Sequence, residues 1–145
     1  MSAMLKQISM FLENNPGRLA RACRIMAEEG INIRALSLAD ATDFGLLRLI
    51  VDNPLLAEEK LGARGILVNT IDVAGVKVPD RPGGLGEALD ALDKAGVSVE
   101  YMYAFVGKFG DRAMVILRLS DNARGVEALQ GADLELLTPE EVYSI

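Results

Sequence analysis

Two short segments hold the residue types from which a small binding site can be made: Glu13-Asn14-Asn15-Pro16-Gly17-Arg18-Leu19 and Pro79-Asp80-Arg81-Pro82-Gly83-Gly84-Leu85. Each precedes an amphipathic run that reads as a helix. A helix start presents unpaired backbone N–H groups and the positive end of the helix dipole. Glycine lets a ligand approach that backbone closely. Proline donates nothing, so the donors are the amides of Gly17, Arg18 and Leu19, and of Gly83, Gly84 and Leu85. Such amides suit a carboxylate. Asn14 and Asp80 sit on the same rim, where Asp80 can pair with an ammonium group and Asn14 can hydrogen-bond one. Anion donors beside an amine acceptor describe a site for a free α-amino acid. The competing reading is ordinary helix-start chemistry, with Asn15 as cap and Pro16 at the first helical position. Gly83-Gly84-x-Gly86 lacks both the dinucleotide glycine spacing and a phosphate-loop lysine.

The other chemistry open to this chain is limited. It has no histidine and one cysteine, Cys23. Ser-His-Asp and Cys-His catalysis cannot be built, nor can a zinc site of histidines or several thiolates. No metal or other cofactor is expected, and the chain reads as non-enzymatic. An acylphosphatase-like hydrolase would need an arginine-bearing phosphate cradle, which is missing. Cys23 reads as a small core residue. A single cysteine allows no internal disulfide and points to the cytoplasm. Net charge is −6 over 145 residues; residues 1–74 carry 8 basic and 9 acidic side chains, and residues 75–145 carry 7 and 12. No basic stripe marks a nucleic-acid partner. No stretch approaches the roughly 20 apolar residues of a membrane span.

The elements that must position these loops come in two copies. Pro16, Gly17, Leu19, Gly30, Ile31 and Ile33 map on Pro82, Gly83, Leu85, Gly96, Val97 and Val99 at a constant offset of 66. Val-Asp-Asn at 51–53 matches Ser-Asp-Asn at 120–122 with an offset of 69, which places three extra residues in the second copy. In the first copy, strands are expected at 4–12, from Ile31 to Ala35, at 46–51 and at 66–71. Helices follow Asn15 and Asp52 or Asn53, and the first turns Leu19, Ala22, Cys23 and Met26 inward. The second copy reads as strands near 72–78, 97–106, 113–119 and 133–137, with helices near 82–95 and 122–130. A short link at Thr70–Ala74 joins the copies, and Thr138-Pro139-Glu140-Glu141 reads as a capped helical turn. The order β-α-β-β-α-β, twice, is a split β-α-β arrangement. The fold class is α+β: two tandem ferredoxin-like domains, 1–71 and 72–145, each an antiparallel sheet with its helices on one face. Ile8, Met10 and Leu12 on one side of the first strand, Leu5 and Phe11 on the other, and Tyr101, Tyr103 and Phe105 later, require that part of the open face or the sheet edges be covered by the sister copy or another chain.

The pattern x-N-x-P-G-x-L, followed by an amphipathic helix ending in G-[IV]-N-I, occurs once here as Glu13 to Leu19 with Gly30 to Ile33. It returns in looser form in the second copy. This resembles the ACT domain, in two tandem copies over nearly the whole chain. The resemblance implies a regulatory module that binds small molecules, most often amino acids, at interfaces between paired domains. The first strand–helix loop and the second strand would hold the ligand. Asn14 and Asn32 match positions that contact the ligand amino and carboxylate groups in serine-binding members, and Pro16, Gly17 and Leu19 match the loop. Leu12 departs from a histidine in those members. The equivalents in the second copy are Asp80 and Ser98. The candidate ligand-binding residues are therefore Asn14, Asn15, Gly17, Arg18, Leu19, Asn32 and Ile33, with Asp80, Gly83, Gly84, Leu85 and Ser98. The expected partners are an amino acid, a second copy in a homodimer, and a metabolic enzyme or regulator. The alternative is a ligand-free dimerisation or docking module for such an enzyme.

Overall fold

The computed structural model describes residues 4–13, 15–40, 44–105 and 110–143. Its elements run β1 (Met4–Glu13), α1 (Arg18–Glu28), β2 (Ile33–Asp40), β3 (Phe44–Val51), α2 (Pro54–Ala63), β4 (Val68–Pro79), α3 (Gly84–Lys94), β5 (Val99–Ala104), β6 (Arg112–Leu119), α4 (Asn122–Gly131), β7 (Glu135–Leu136) and α5 (Pro139–Tyr143). The chain forms two compact units. The N-terminal one is Lys6–Ile71 with Tyr143 from the end of the chain; the C-terminal one is Asp72–Val142 with Leu5 from the start.

In the N-terminal unit, β3 lies between β2 and β1, antiparallel to both, with Leu12 opposite Gly45 and Ile33 opposite Val51. The Phe11 N–H donates to the Leu67 carbonyl at 3.4 Å, tying β1 to the approach to β4. Alternation along the strands sends Ile8, Met10, Leu12, Leu47, Leu49 and Val51 to the helix side, where they meet Ala22, Ile25, Met26, Ala57 and Leu61. Fully burying each large side chain among them contributes about 1.5–3 kcal/mol. The C-terminal unit repeats this plan. β6 lies between β4 and β5, β7 pairs with β4, and Ala74, Val76, Val78, Leu117 and Leu119 pack on Ala88, Leu92 and Leu129. Tyr101 and Tyr103 are half-buried and Phe105 is buried.

Four expectations need correction. The strands foreseen at 66–71 and 72–78 are one strand, β4, with no turn at Thr70–Ala74. The run Val68–Pro79 is rich in β-branched residues and contains no turn signal of the Pro-Gly or Asn-Gly kind. Asn15 does not cap α1; the cap position is Gly17, left-handed, with no side-chain hydrogen bond. Helix α1 is rotated from the expected phase: Ala22, Ile25 and Met26 are buried, whereas Leu19 and Cys23 are exposed. Ile25 carries more apolar surface than Cys23 and takes the inward position. Finally, the later halves of the copies are related by an offset of 68. Phe44–Val51 corresponds to Arg112–Leu119, and the capping side chains are Asn53, accepting from the Leu56 N–H, and Asp121, accepting from the Arg124 N–H. The Asp-Asn letters at 52–53 and 121–122 coincide without occupying the same places.

Candidate functional site

The two Pro-Gly loops share one geometry. The Arg18 N–H donates to the Asn15 carbonyl at 3.3 Å, and the Gly84 N–H donates to the Arg81 carbonyl at 3.0 Å. Between them stand proline and then glycine, Gly17 at φ 84, ψ −5 and Gly83 at φ 88, ψ −9. Proline second and a left-handed glycine third define a type II turn. The Pro-Gly pair thus turns the chain before the helix rather than starting it. Each turn uses one of the three amides expected to grip an anion, those of Arg18 and Gly84. Gly17 and Leu19, and Gly83 and Leu85, keep amides free of the turn bond.

Around the first loop lie two clefts that share Leu12, Glu13 and Arg18. One, of 250 Å³, lies between the end of β1, α1 and the segment leading to β4, and is lined by Phe11, Arg21, Ala22 and Gly65–Leu67 besides the shared residues. The other, of 90 Å³, is completed by Asn15, Leu19, Leu38 and Gly45. The larger is below the roughly 300–1,000 Å³ of drug-sized ligand sites and suits a small metabolite. Arg18 and Arg21, three residues apart on α1, bring two guanidinium groups to its wall. Arg18 lies 3.9 Å from the Glu13 carboxylate, whose other oxygen accepts from the Asn15 side-chain amide at 3.1 Å. The Arg18 Nε is buried and has no hydrogen-bond partner among the described residues. Arg21, exposed on α1, is a cleft-lining residue that sequence reasoning did not single out; its i, i+3 spacing from Arg18 was the available signal.

The second copy builds the corresponding region from different residues. Gly84 replaces Arg18 and is buried, seated so near β4 that a Cβ would stand 1.9 Å from the Pro79 carbonyl oxygen. Lys77 stands where the first copy has Phe11 and Glu135 where it has Leu67. Their side chains pair at 3.0 Å, and Arg112 adds a second contact to Glu135 at 3.0 Å. Arg81 pairs with Glu87 at 2.6 Å, and the Asp80 N–H donates to the Asp111 carbonyl.

Asn32 and Ser98 are placed by a reciprocal bond that recurs in both units. The Asn32 N–H donates to Asp52 Oδ1 at 2.9 Å, and the Asp52 N–H returns to the Asn32 carbonyl at 3.0 Å. The Ser98 N–H donates to Ser120 Oγ at 2.9 Å, and the Ser120 N–H returns to the Ser98 carbonyl at 3.0 Å. The register of the N-terminal unit puts Ile33 opposite Val51, and Asp40 opposite Gly45, which itself faces Leu12. Asn32 and Ile33 therefore lie at the other end of the sheet from the loop, roughly 25 Å away at about 3.3 Å per residue. Asn15, Gly17, Arg18 and Leu19 come together; Asn32 and Ile33 do not join them within one unit. Gly83, Gly84 and Leu85 are separated from Ser98 in the same way. Asn14 lies outside the described residues. Among those described, no group of acidic, cysteine or histidine side chains could hold a metal ion, and no helix is long and apolar enough to cross a membrane.

The family profile for an ACT domain pair matches residues 3–145. The chain is similar to a protein of known structure from Bacteroides thetaiotaomicron, 38% identical, with a TM-score of 0.92 over 99% of this chain and 98% of the other. It shares its fold with the regulatory subunit of aspartate kinase from Thermus thermophilus, 18% identical, TM-score 0.61, covering 88% of this chain and 91% of that one. The corresponding Thermus flavus subunit is 16% identical, with a TM-score of 0.61 over 88% and 92%. No curated protein matches. With two β-α-β-β-α-β copies, paired Pro-Gly turns and a profile match over almost all of its length, the chain belongs to the family of ACT domain pairs, regulatory modules of two ferredoxin-like domains.

Proposed function

We propose that this protein is a non-catalytic regulator that binds a free amino acid in the cleft of its N-terminal unit and acts on a metabolic enzyme or regulator in the cytoplasm. The observation that carries the reading is the meeting of opposite charges at one small cleft. Arg18 and Arg21 answer a carboxylate, and Glu13 an ammonium group. The Gly17 and Leu19 amides supply further donors to the acid end, and Asn15 lines the adjoining cleft. The C-terminal copy, with Gly84 in place of Arg18 and a Lys77–Glu135 pair in place of Phe11 and Leu67, serves as scaffold. Asn32 and Ile33 reach such a ligand only from another chain, so binding is coupled to association. A ligand then shifts assembly by its differential affinity for the associated state.

Thermal melts against the twenty amino acids test this. A true ligand at about 100 times its dissociation constant adds about 2.7 kcal/mol, and Arg18→Ala removes that gain while leaving the ligand-free midpoint in place. A panel in which no amino acid moves the midpoint returns the protein to the second reading, a docking module without a ligand. That reading has its own support in the apolar flank of the N-terminal unit. Leu19, Leu36 and Leu38 are 38%, 44% and 52% exposed beside the uncovered edge strand β2.

A further inference from the structure

Helices α1 and α3 occupy equivalent places in the two copies, yet their outer faces carry opposite charge. At the offset of 66, Arg21 corresponds to Glu87, Arg24 to Asp90 and Glu28 to Lys94. All six are exposed. Their i, i+3, i+7 spacing puts each set of three on one helix face. The sequence therefore presents plus, plus, minus on one helix and minus, minus, plus on the other.

The grooves beside these faces differ as well. In the N-terminal unit, Arg64 at the end of α2 reaches Glu28 at 2.6 Å and Glu29 at 3.2 Å, and this ion cluster fills the space between α1 and α2. In the C-terminal unit the matching helix-end position is Ala132, and Glu29 becomes Ala95. What remains is an open groove of 520 Å³ floored by alanines and Gly131, with Glu87, Asp90 and Lys94 on its rim. No described residue pairs with Arg24, Asp90 or Lys94.

We propose that two copies of the chain associate through these faces, the Arg21/Arg24 face of α1 in one copy lying on the Glu87/Asp90 rim of the α3–α4 groove in the other. The occupant is a second copy because the complement, in sign and in spacing, is carried by the chain itself. The two helices run in the same direction, so that Arg21 meets Glu87, Arg24 meets Asp90 and Glu28 meets Lys94. Opposed charge across such a contact fixes register and rejects the like-charged pairings of α1 with α1 and α3 with α3. Arg21 also lines the larger ligand cleft, whereas Arg24 and Asp90 line neither, so substitutions at these two positions test association apart from amino-acid binding.

Sedimentation velocity over a concentration series decides it, with Arg24→Asp and Asp90→Arg as variants. The wild type is expected to dimerise, less strongly at high salt. Each variant faces itself with like charges and should raise the dissociation constant by about tenfold or more. Mixed in equal amounts, the two variants should recover the wild-type mass, because the acidic α1 of one then meets the basic α3 of the other. Both positions are exposed, and circular dichroism confirms that each variant is folded before its mass is read. A wild type that stays monomeric at all concentrations overturns the proposal. So do single variants that keep the wild-type mass, and folded variants whose mixture remains monomeric.

Discussion

Gly84 and Pro79 touch backbone to backbone: a Cβ on Gly84 would stand 1.9 Å from the Pro79 carbonyl oxygen and 3.0 Å from its carbon. A backbone oxygen in a paired strand cannot swing aside as a side chain can. Gly84→Ala must therefore displace the start of α3 from β4, and a loss of at least about 2 kcal/mol is expected in urea unfolding. The equivalent position in the first copy is Arg18, half-exposed and 3.9 Å from its carboxylate partner. Arg18→Ala should stay within about 0.5 kcal/mol of wild type. The contrast separates a tightly packed backbone position from a half-exposed side-chain position in two copies of one fold.

Gly17 and Gly83 give a different kind of test. Nothing lies within 4 Å of a Cβ built on either, so space does not require glycine there. The turn does, through φ values of 84 and 88. Alanine at either site should cost about 1–2 kcal/mol from the left-handed backbone alone. Asparagine, which tolerates that region, should cost less. Equal losses for alanine and asparagine in thermal unfolding would show that the turn type is not what selects the residue.

The sequence reading reached the architecture because its strongest signals were local and came twice. Pro-Gly, the helical apolar stripe, Gly30 with Gly96 and the strand alternation are each set within a few residues, and a repeat multiplies their weight. The failures all lie where a neighbouring element decides. The stripe on α1 allowed either Cys23 or Ile25 to face inward; the structure buries Ile25 and leaves Cys23 exposed. Pro-Gly is compatible with a helix start and with a type II turn, and the Asn15–Arg18 hydrogen bond selects the turn. The 69-residue offset followed letters, whereas the sheet register follows hydrogen bonds and gives 68. The Pro-Gly loop around the candidate site was legible as a loop because its residues are contiguous. The ion cluster of the second copy joins Lys77, Arg112 and Glu135, which are far apart along the chain.

The reciprocal bond that holds the start of each second strand predicts an asymmetry. Asp52 accepts from Asn32 with a charged oxygen; Ser120 accepts from Ser98 with a neutral one. Charge-assisted bonds are roughly twice as strong as neutral ones. Asp52→Ala should therefore destabilise by about 1 kcal/mol, and Ser120→Ala by about half of that, both reduced by exposure to water. A larger loss at Ser120 in paired thermal melts would contradict this account.

The tail of the chain should respond to pH at both ends of the scale. Thr138 and Glu141 form a capping box, with the Thr138 N–H donating to Glu141 Oε1 and the Glu141 N–H to Thr138 Oγ1. Lys77, only 5% exposed, joins Glu141 and Glu135. Arg112, and then Lys77, hold the Glu135 carboxyl below its ordinary 4.5. Burial would raise Glu141, but the hydrogen bonds from Lys77 and Thr138 bring it below 4.5 as well. Burial would likewise lower the Lys77 ammonium, and the bonds to Glu141 and Glu135 leave it above 10.5. Carboxyls lowered in the folded state contribute stability above about pH 4.5, and that contribution is lost as pH falls through their folded values. A raised ammonium contributes below about pH 10.5 and loses that contribution as pH rises through its folded value. The protection of the amides over 138–143, taken relative to the intrinsic exchange rate at each pH, should therefore be highest between these limits and fall on either side. Lys77→Met should remove the alkaline limb and keep the part of the acid limb that Arg112 imposes on Glu135. Protection in the tail that is flat from pH 3 to 11 in the wild type, after correction for the intrinsic rate, would mean that these ion pairs do not hold it.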